Sequence, residues 1–318
     1  MTEQDHKGRA WRYRLSGVTL GMCLLSLMPV KAAEGVSDLL RWRLSSEITV
    51  PKTPAWQVRL EAIDYQGEMM HADGHSITTQ ADVFALGATW RPDWTLPERW
   101  SYAMAVRLPY VVMSREVQGA AAMDKAKGSA KDRADGVGDM VLTPAMFAYA
   151  VSDHWQTNLQ LSVYAPTGHY DADRLANTGT NYWSVEPLLA LSYHQPVTGQ
   201  AFNIHASLGF NAPNSATDYD SGDVARLSAT FVQHALLLGG LTGIGLTGEA
   251  FQQITDDSGR GATADTDKAR SLAIGPVLSY QTQLDNRLLL VEFSWRHEFR
   301  SANTTEGENV AVRFQLEH

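Results

Sequence analysis

The chain has 318 residues, 44% of them hydrophobic, with 26 Lys and Arg against 35 Asp and Glu and a net charge of −9. An acidic balance of this size argues against a nucleic-acid partner. A single cysteine, Cys23, excludes a disulfide framework.

Lys7, Arg9, Arg12 and Arg14 form a basic segment ahead of the apolar run LSGVTLGMCLLSLMPV, residues 15–30. Val30 and Ala32 suit positions −3 and −1 of a cleavage site. The pattern predicts a secretory signal peptide over residues 1–32. The apolar run is too short for a typical membrane span, and an uncleaved N-terminal anchor is the alternative. Met22 stands before Cys23 where a lipoprotein signal needs a small residue, so Cys23 reads as part of the signal. Cleavage removes five basic and two acidic residues, which leaves 21 against 33, a net charge of −12 and no thiol. Residues 33–54 then form a periplasmic leader, or a small hatch with LLRWRL (39–44) tucked into a lumen.

From residue 55 onward the dominant period is two. NLQLSVYA (158–165) sets Leu159, Leu161 and Val163 against Asn158, Gln160 and Ser162. FNIHASLGFN (202–211), LLVEFSWRHEF (289–299) and NVAVRFQLEH (309–318) alternate in the same way. Such segments are strands with one apolar and one polar face. About twelve occur: near 55–65, 77–90, 101–114, 137–151, 154–166, 182–194, 201–212, 224–236, 241–254, 270–282, 287–300 and 308–318. The stretch 231–251 is the best candidate for a membrane helix. His234 and several glycines interrupt it, so a hairpin is predicted there instead.

The connectors alternate in kind. RPDWTLPERW, SDHW, QPVTGQ, LLGG and LDN are short, whereas the intervening ones, such as EVQGAAAMDKAKGSAKDRADGVG (116–138), are long and polar. Short and long connectors in turn predict an all-β fold. It is a transmembrane antiparallel β-barrel of about 12 strands over residues 55–318, with short periplasmic turns and long extracellular loops. Trp90, Trp94, Trp100, Tyr149, Trp155 and Trp183 lie near strand ends, as aromatic girdles at two interfaces would.

In a barrel the apolar alternate residues face lipid and the polar ones face the lumen. On that phase Arg59, Glu61, Arg107, Asp139, Glu186, His205, Arg226, Glu249, Glu292, Arg296 and Arg313 point inward. Both signs are present, so a mutually neutralising network and a selective pore are both open. Pro109, Pro144, Pro187 and Pro276 fall inside strands, where each removes a ladder donor. They predict local bulges, or a wall weak enough to open sideways for a hydrophobic solute.

APTGHYDADRLANTGTNYW (165–183) places His169, Asp171 and Asp173 at alternate positions. A metal would need those side chains to converge, but Pro166-Thr167-Gly168 signals a turn and the full spacing of a Ca²⁺ loop is absent. No metal or cofactor is expected. The stretch reads as the third outer loop, with Asp171, Arg174 and Asn181 as candidates to screen solutes at the barrel mouth. His205 and Ser207 share the inward face of one strand, which leaves a barrel-wall lipid hydrolase as a minor reading. GxSxG is absent, and Gly136-Val137-Gly138-Asp139 lacks the rest of a nucleotide loop.

GVGDMVLTPAM (136–146), VYAPTGHYD (163–171), NTGTNYWSVEP (177–187) and the NAPN…DYDSG run (211–222) together resemble the phenol-degradation meta-pathway-like family of outer-membrane transporters. They occur in the family's order. The resemblance implies a β-barrel, twelve-stranded, that passes hydrophobic or aromatic compounds, and it implies no catalytic residues. One departure is the C-terminus, where His318 takes the slot that outer-membrane barrels commonly give to an aromatic residue.

The expected protein is a bacterial outer-membrane barrel, not an enzyme, that passively transports small hydrophobic or aromatic solutes. Its expected partners are outer-membrane lipid, the solute and, during biogenesis, the barrel assembly machinery. The alternative is a structural or surface-interaction barrel without transport.

Overall fold

The computed structural model describes residues 50–318 except 52, 54, 72, 73, 120–128, 261 and 263–267. The signal peptide and the LLRWRL hatch expected from the sequence lie outside the described residues. Thirteen strands run in chain order: β1 (Ala55–Met70), β2 (Ser76–Arg91), β3 (Trp100–Gln118), β4 (Ser129–Val137), β5 (Met140–Ala150), β6 (Trp155–Ala165) and β7 (Ser184–Gln195). They continue as β8 (Gln200–Asn211), β9 (Val224–Leu237), β10 (Gly240–Gln253), β11 (Arg270–Leu284), β12 (Arg287–Ala302) and β13 (Glu306–Glu317). Neighbours in sequence pair antiparallel, and β1 pairs β13 from Gln57↔Glu317 to Glu68↔Glu306, which closes the ring. Closure leaves the membrane-crossing wall without an open edge, the condition for strands to cross a bilayer.

Period two fixes which face is which. In β1, Trp56, Val58 and Leu60 are exposed on the outside, while Gln57, Arg59 and Glu61 are buried inside. A register slip by one residue would exchange the two sets. Arg59 would then face lipid, at a cost of about 2–4 kcal/mol near the bilayer midplane. At the short-turn end, ring pairs span neighbouring strands: Trp56 with Trp90 at 5.7 Å, Trp100 with Tyr149 at 4.9 Å and Trp155 with Tyr193 at 4.9 Å. Leu238 and Gly239 turn the chain between β9 and β10 with φ of 56° and 76°, so residues 231–251 form the expected hairpin. No helix among the described residues is long and apolar enough to cross a membrane.

Two departures from the strand pattern matter for the site. The fourth wall, expected as one strand over 137–151, is broken. Below, β5 pairs β3 up to Arg107↔Val141; above, β4 pairs it from Tyr110↔Val137. Gly138, Asp139 and Met140 bulge opposite Leu108 and Pro109, and Gly138 N–H donates to Pro109 O at 2.9 Å. A Cβ at Gly138 would come within 3.0 Å of Val111 Cγ2 and 3.1 Å of Pro109 Cγ, so the bulge is tight around its glycine. Much of the expected loop 116–138 is therefore strand: Lys, Asp and Gly are poor strand formers, but β3 provides a long ladder above the membrane.

The other prolines interrupt the ladder only locally. Pairing between β7 and β8 lapses after Val185↔Phe210 and resumes in the same register at Leu188↔Ser207, past Pro187. The lapse at Pro276 likewise ends at Val277↔Ser294.

The second departure is the loop 166–183, hereafter loop 3. It turns into the barrel. Leu175 packs with Met69, Ile77 and Val117, and Ala176 with Ile63, Ala81 and Met113. Residues 175–180 are all buried.

Candidate functional site

The lumen is organised in three levels. At the top, loop 3 fills the space enclosed by β1–β4. Its two arms cross where Gly168 and Gly179 meet: a Cβ on Gly168 would lie 2.6 Å from Gly179 Cα. His169 N–H donates to Thr178 Oγ1 at 3.1 Å and Gly179 N–H to His169 O at 3.0 Å, which makes the arms a small cinched turn.

Two carboxylates of the wall hold this turn. Asp139, on the β4–β5 bulge, accepts from Gly168 N–H (3.0 Å), Thr180 N–H (2.9 Å) and Thr180 Oγ1 (2.8 Å). Asp132, on β4, accepts from Arg174 Nη2 (2.7 Å), Arg174 Nε (3.2 Å), Leu175 N–H (3.1 Å) and Ala176 N–H (3.1 Å). Asp132 lies on β4, beyond the level at which β6 ends. Desolvation raises its pKa, but the Arg174 bonds and the backbone donors outweigh that and leave it below the ordinary carboxylate value. The bond to Asp132 raises Arg174 in turn.

Beneath the loop lies a small apolar chamber of about 80 Å³, open to its neighbours. Val83, Pro109, Val111, Met113, Val141 and Tyr164 line it, and Thr178–Thr180 roof it. Arg107 and Asp139 are its charged groups.

Below the chamber a belt of ion pairs crosses the lumen. Glu61 is bonded by Arg107 Nε and Arg313 Nε, each at 3.0 Å, with Arg59 Nη1 at 4.0 Å. Arg313 continues to Glu292 at 3.0 Å, and Arg59 bonds Gln315 Oε1 at 2.8 Å. On the other side Arg296 meets Glu249 at 2.6 Å, while Arg226 sits between Glu186 at 3.5 Å and Glu249 at 3.9 Å. Tyr164 Oη donates to Glu186 Oε2 at 2.7 Å and ties the chamber wall to the belt. Five arginines thus face four glutamates, which pairs most of the charge and leaves one positive charge in excess. A polar vestibule of about 270 Å³ runs from the belt past Thr230, Thr247 and Ser279 toward His234 and Gln281 near the short turns.

The inward residues named from the sequence fall as follows. Arg59, Arg107, Glu186, Arg226, Glu249, Glu292, Arg296 and Arg313 are all in the belt. Asp139 stands above it as a loop anchor. His205 is set apart, with Nδ1 3.5 Å from Ser228 Oγ. At the mouth, Asp171 is exposed on the outer side of loop 3, where its Oδ1 accepts from Asp173 N–H at 3.0 Å. Arg174 is turned onto Asp132. Asn181, at φ 64°, donates through Nδ2 to Asn214 Oδ1 at 2.7 Å. No group of three His, Asp or Glu side chains among the described residues is placed to hold a metal.

Sequence reasoning missed Asp132, Thr178, Thr180 and Asn214. Asp132 lay in a segment read as loop. The other three sit within NTGTN and NAPN, motifs legible only through the family resemblance.

The outer loops also lock to one another. Asn214 is fully buried beside Thr180 and Asn181. Asp257 accepts from Gly222 N–H at 2.9 Å and Gln253 Nε2 at 2.6 Å, and Arg260 bonds Asp218.

Comparison with known proteins places this architecture. Residues 46–314 match the family model described as "Putative MetA-pathway of phenol degradation". The fold is similar to that of the COG4313 outer membrane channel from Pseudomonas putida F1, with a TM-score of 0.66 and 18% identity over 86% of this chain and 100% of that one. It is also similar to the transport unit of the autotransporter AIDA-I from Escherichia coli, with a TM-score of 0.51 and 8% identity over 90% and 99% of the two chains. No curated protein matches the chain.

Proposed function

We propose that this chain, which belongs to that phenol-degradation family, is a passive outer-membrane channel for small hydrophobic solutes, aromatic compounds among them. The carrying observation is the apolar chamber inside the lumen, lined by Val83, Val111, Met113 and Val141. A pore for ions or sugars gains nothing from such a surface. An apolar solute gains about 25 cal/mol for each Å² it removes from water. Below the chamber, the belt pairs most of its charges internally on the way to the vestibule.

Transport on this reading needs no covalent step, metal or cofactor. The signal peptide over 1–32 exports the chain. Outer-membrane lipid surrounds the apolar outer face, and the barrel assembly machinery inserts it. A solute partitions into the chamber, passes the belt and leaves through the vestibule.

One observation favours the non-transport alternative. The third, fourth and fifth outer loops interlock through Asn181–Asn214 and Asp257–Gly222 into a firm outer surface. Such a surface suits adhesion or receptor contact. Flux into liposomes bearing the purified chain separates the two. Aromatic solutes entering no faster than into empty liposomes would end the transport reading and leave the surface-interaction one. Phospholipid hydrolysis lost in Ser207→Ala would instead favour an enzyme.

A further inference from the structure

Loop 3 closes the chamber from outside, and the way it is fastened has a consequence for the transport reading, on which this inference rests. Most of its fixed points on the wall gather in residues 132–140, on either side of the strand break, and Arg115 Nη1 of β3 adds a bond to Leu175 O at 3.3 Å. Asp139 grips the neck at Gly168 and Thr180, and Asp132 grips the tip at Arg174, Leu175 and Ala176.

That stretch of wall is unusual. β6 ends at Ala165, opposite Met140. Among the described residues no strand pairs with the remaining edge of β4. An unpaired edge needs its polar backbone groups satisfied in some other way. Loop 3 does so with side chains: Thr178 Oγ1 donates to Val137 O at 3.1 Å, and the Arg174 guanidinium bonds Arg133 O. A paired strand there would be a permanent part of the barrel. Side-chain bonds and two carboxylates exchange with water at far smaller cost. The apolar part of the plug is small, chiefly Leu175 and Ala176.

We infer that loop 3 is a latched lid, held shut by Asp139 and Asp132, whose release opens the apolar chamber to the outside while the barrel stays folded. Asp139 and Asp132 are positioning residues; neither needs to touch solute. Replacing either carboxylate by its amide keeps the shape but turns one acceptor oxygen into a donor facing loop N–H groups. Losing one charge-assisted bond raises the open-to-closed ratio by about tenfold or more.

The test uses the purified full chain and two variants, Asp139→Asn and Asp132→Asn/Asp139→Asn. Heat-modifiable gel migration first establishes that each barrel is folded. Ion conductance in planar bilayers is expected to rise in Asp139→Asn and further in the double variant. Trypsin is expected to leave the wild-type loop intact and to cut after Arg174 in the double variant. A folded double variant with wild-type conductance and an uncut Arg174 overturns the lid. If the amides prevent folding, Thr180→Val removes a single donor to Asp139. It should raise conductance in a folded barrel, and unchanged conductance would overturn the lid equally. The transport reading fails separately, on aromatic solute flux equal to that of empty liposomes, whatever the lid does.

Discussion

Thr180 bonds Asp139 twice, through its N–H at 2.9 Å and its hydroxyl at 2.8 Å, although the two residues are 41 apart in sequence. Each position looks ordinary alone: a threonine in a polar loop, and an aspartate after a glycine. Together they join an outer loop to a break in the barrel wall, and they form the roof of the apolar chamber.

The chamber itself is open to a filling experiment. Val111→Trp or Val141→Trp places an indole in the space that an aromatic solute would occupy. Overpacking costs about 1–3 kcal/mol, which a closed barrel ladder should tolerate. The expected outcome is a folded barrel whose aromatic flux into liposomes falls by about tenfold, as access to the chamber sets the rate on the transport reading.

Glu61 carries the heaviest electrostatic duty in the lumen, with Arg107 and Arg313 both at 3.0 Å. Glu61→Gln keeps the volume and removes the charge. It leaves guanidiniums without their counter-ion, at a cost of about 3–5 kcal/mol if they stay dry. Water and chloride entering the vestibule lessen that cost. The reversal potential across a KCl gradient should then move toward anion selectivity, and the unfolding temperature should fall. A wild-type reversal potential in the folded variant would show that the belt does not set ion preference.

The crossing of Gly168 and Gly179 leaves no room for a side chain on either. Gly168→Ala would put a Cβ 2.6 Å from Gly179 Cα and 2.8 Å from its nitrogen, closer than backbone atoms permit. The two arms must separate. Heat-modifiable migration should be unchanged, because no strand is touched. Cleavage by trypsin after Arg174 should appear, and an uncut Arg174 would contradict the crossing.

Asp132 gives loop 3 a pH dependence with a definite sign. Its carboxyl is held below the ordinary value of 3.8, so its contribution to docking is present above that value and is lost as pH falls through the depressed one. Arg174, bonded to it, and Arg115, opposite it on β3, stay charged throughout this range. Conductance should therefore be constant from neutral pH down to about pH 4 and rise below it. The rise should be absent in Asp132→Asn, which has no proton to gain.

Much of the barrel was legible because membrane strands obey a strict period. Leu159, Leu161 and Val163 had to face one way, and a single slip would have put Arg59 or Glu61 into lipid. Connector length separated the two ends, and LLGG marked the Leu238–Gly239 turn. The expected strand over 137–151 is β5, and what the sequence did not show was β4. Residues 129–137 read as loop because Lys131, Asp132 and Gly136 carry no strand pattern of their own. The ladder offered by β3 decides their conformation.

The sequence by itself thus determined which face of each strand meets lipid, how many walls close the ring and which side chains point inward, since these follow from local alternation and hydrophobicity. Only the tertiary structure decided which charges neutralise which. Arg107 reaches Glu61 because β3 and β1 flank the same strand, β2, and Arg313 reaches it because β13 closes the ring beside β1. It also decided that loop 3 turns inward. That choice depends on Asp139 and Asp132 standing where β6 has ended and where, among the described residues, the edge of β4 away from β3 has no strand beside it, a relationship between distant segments that no local pattern encodes.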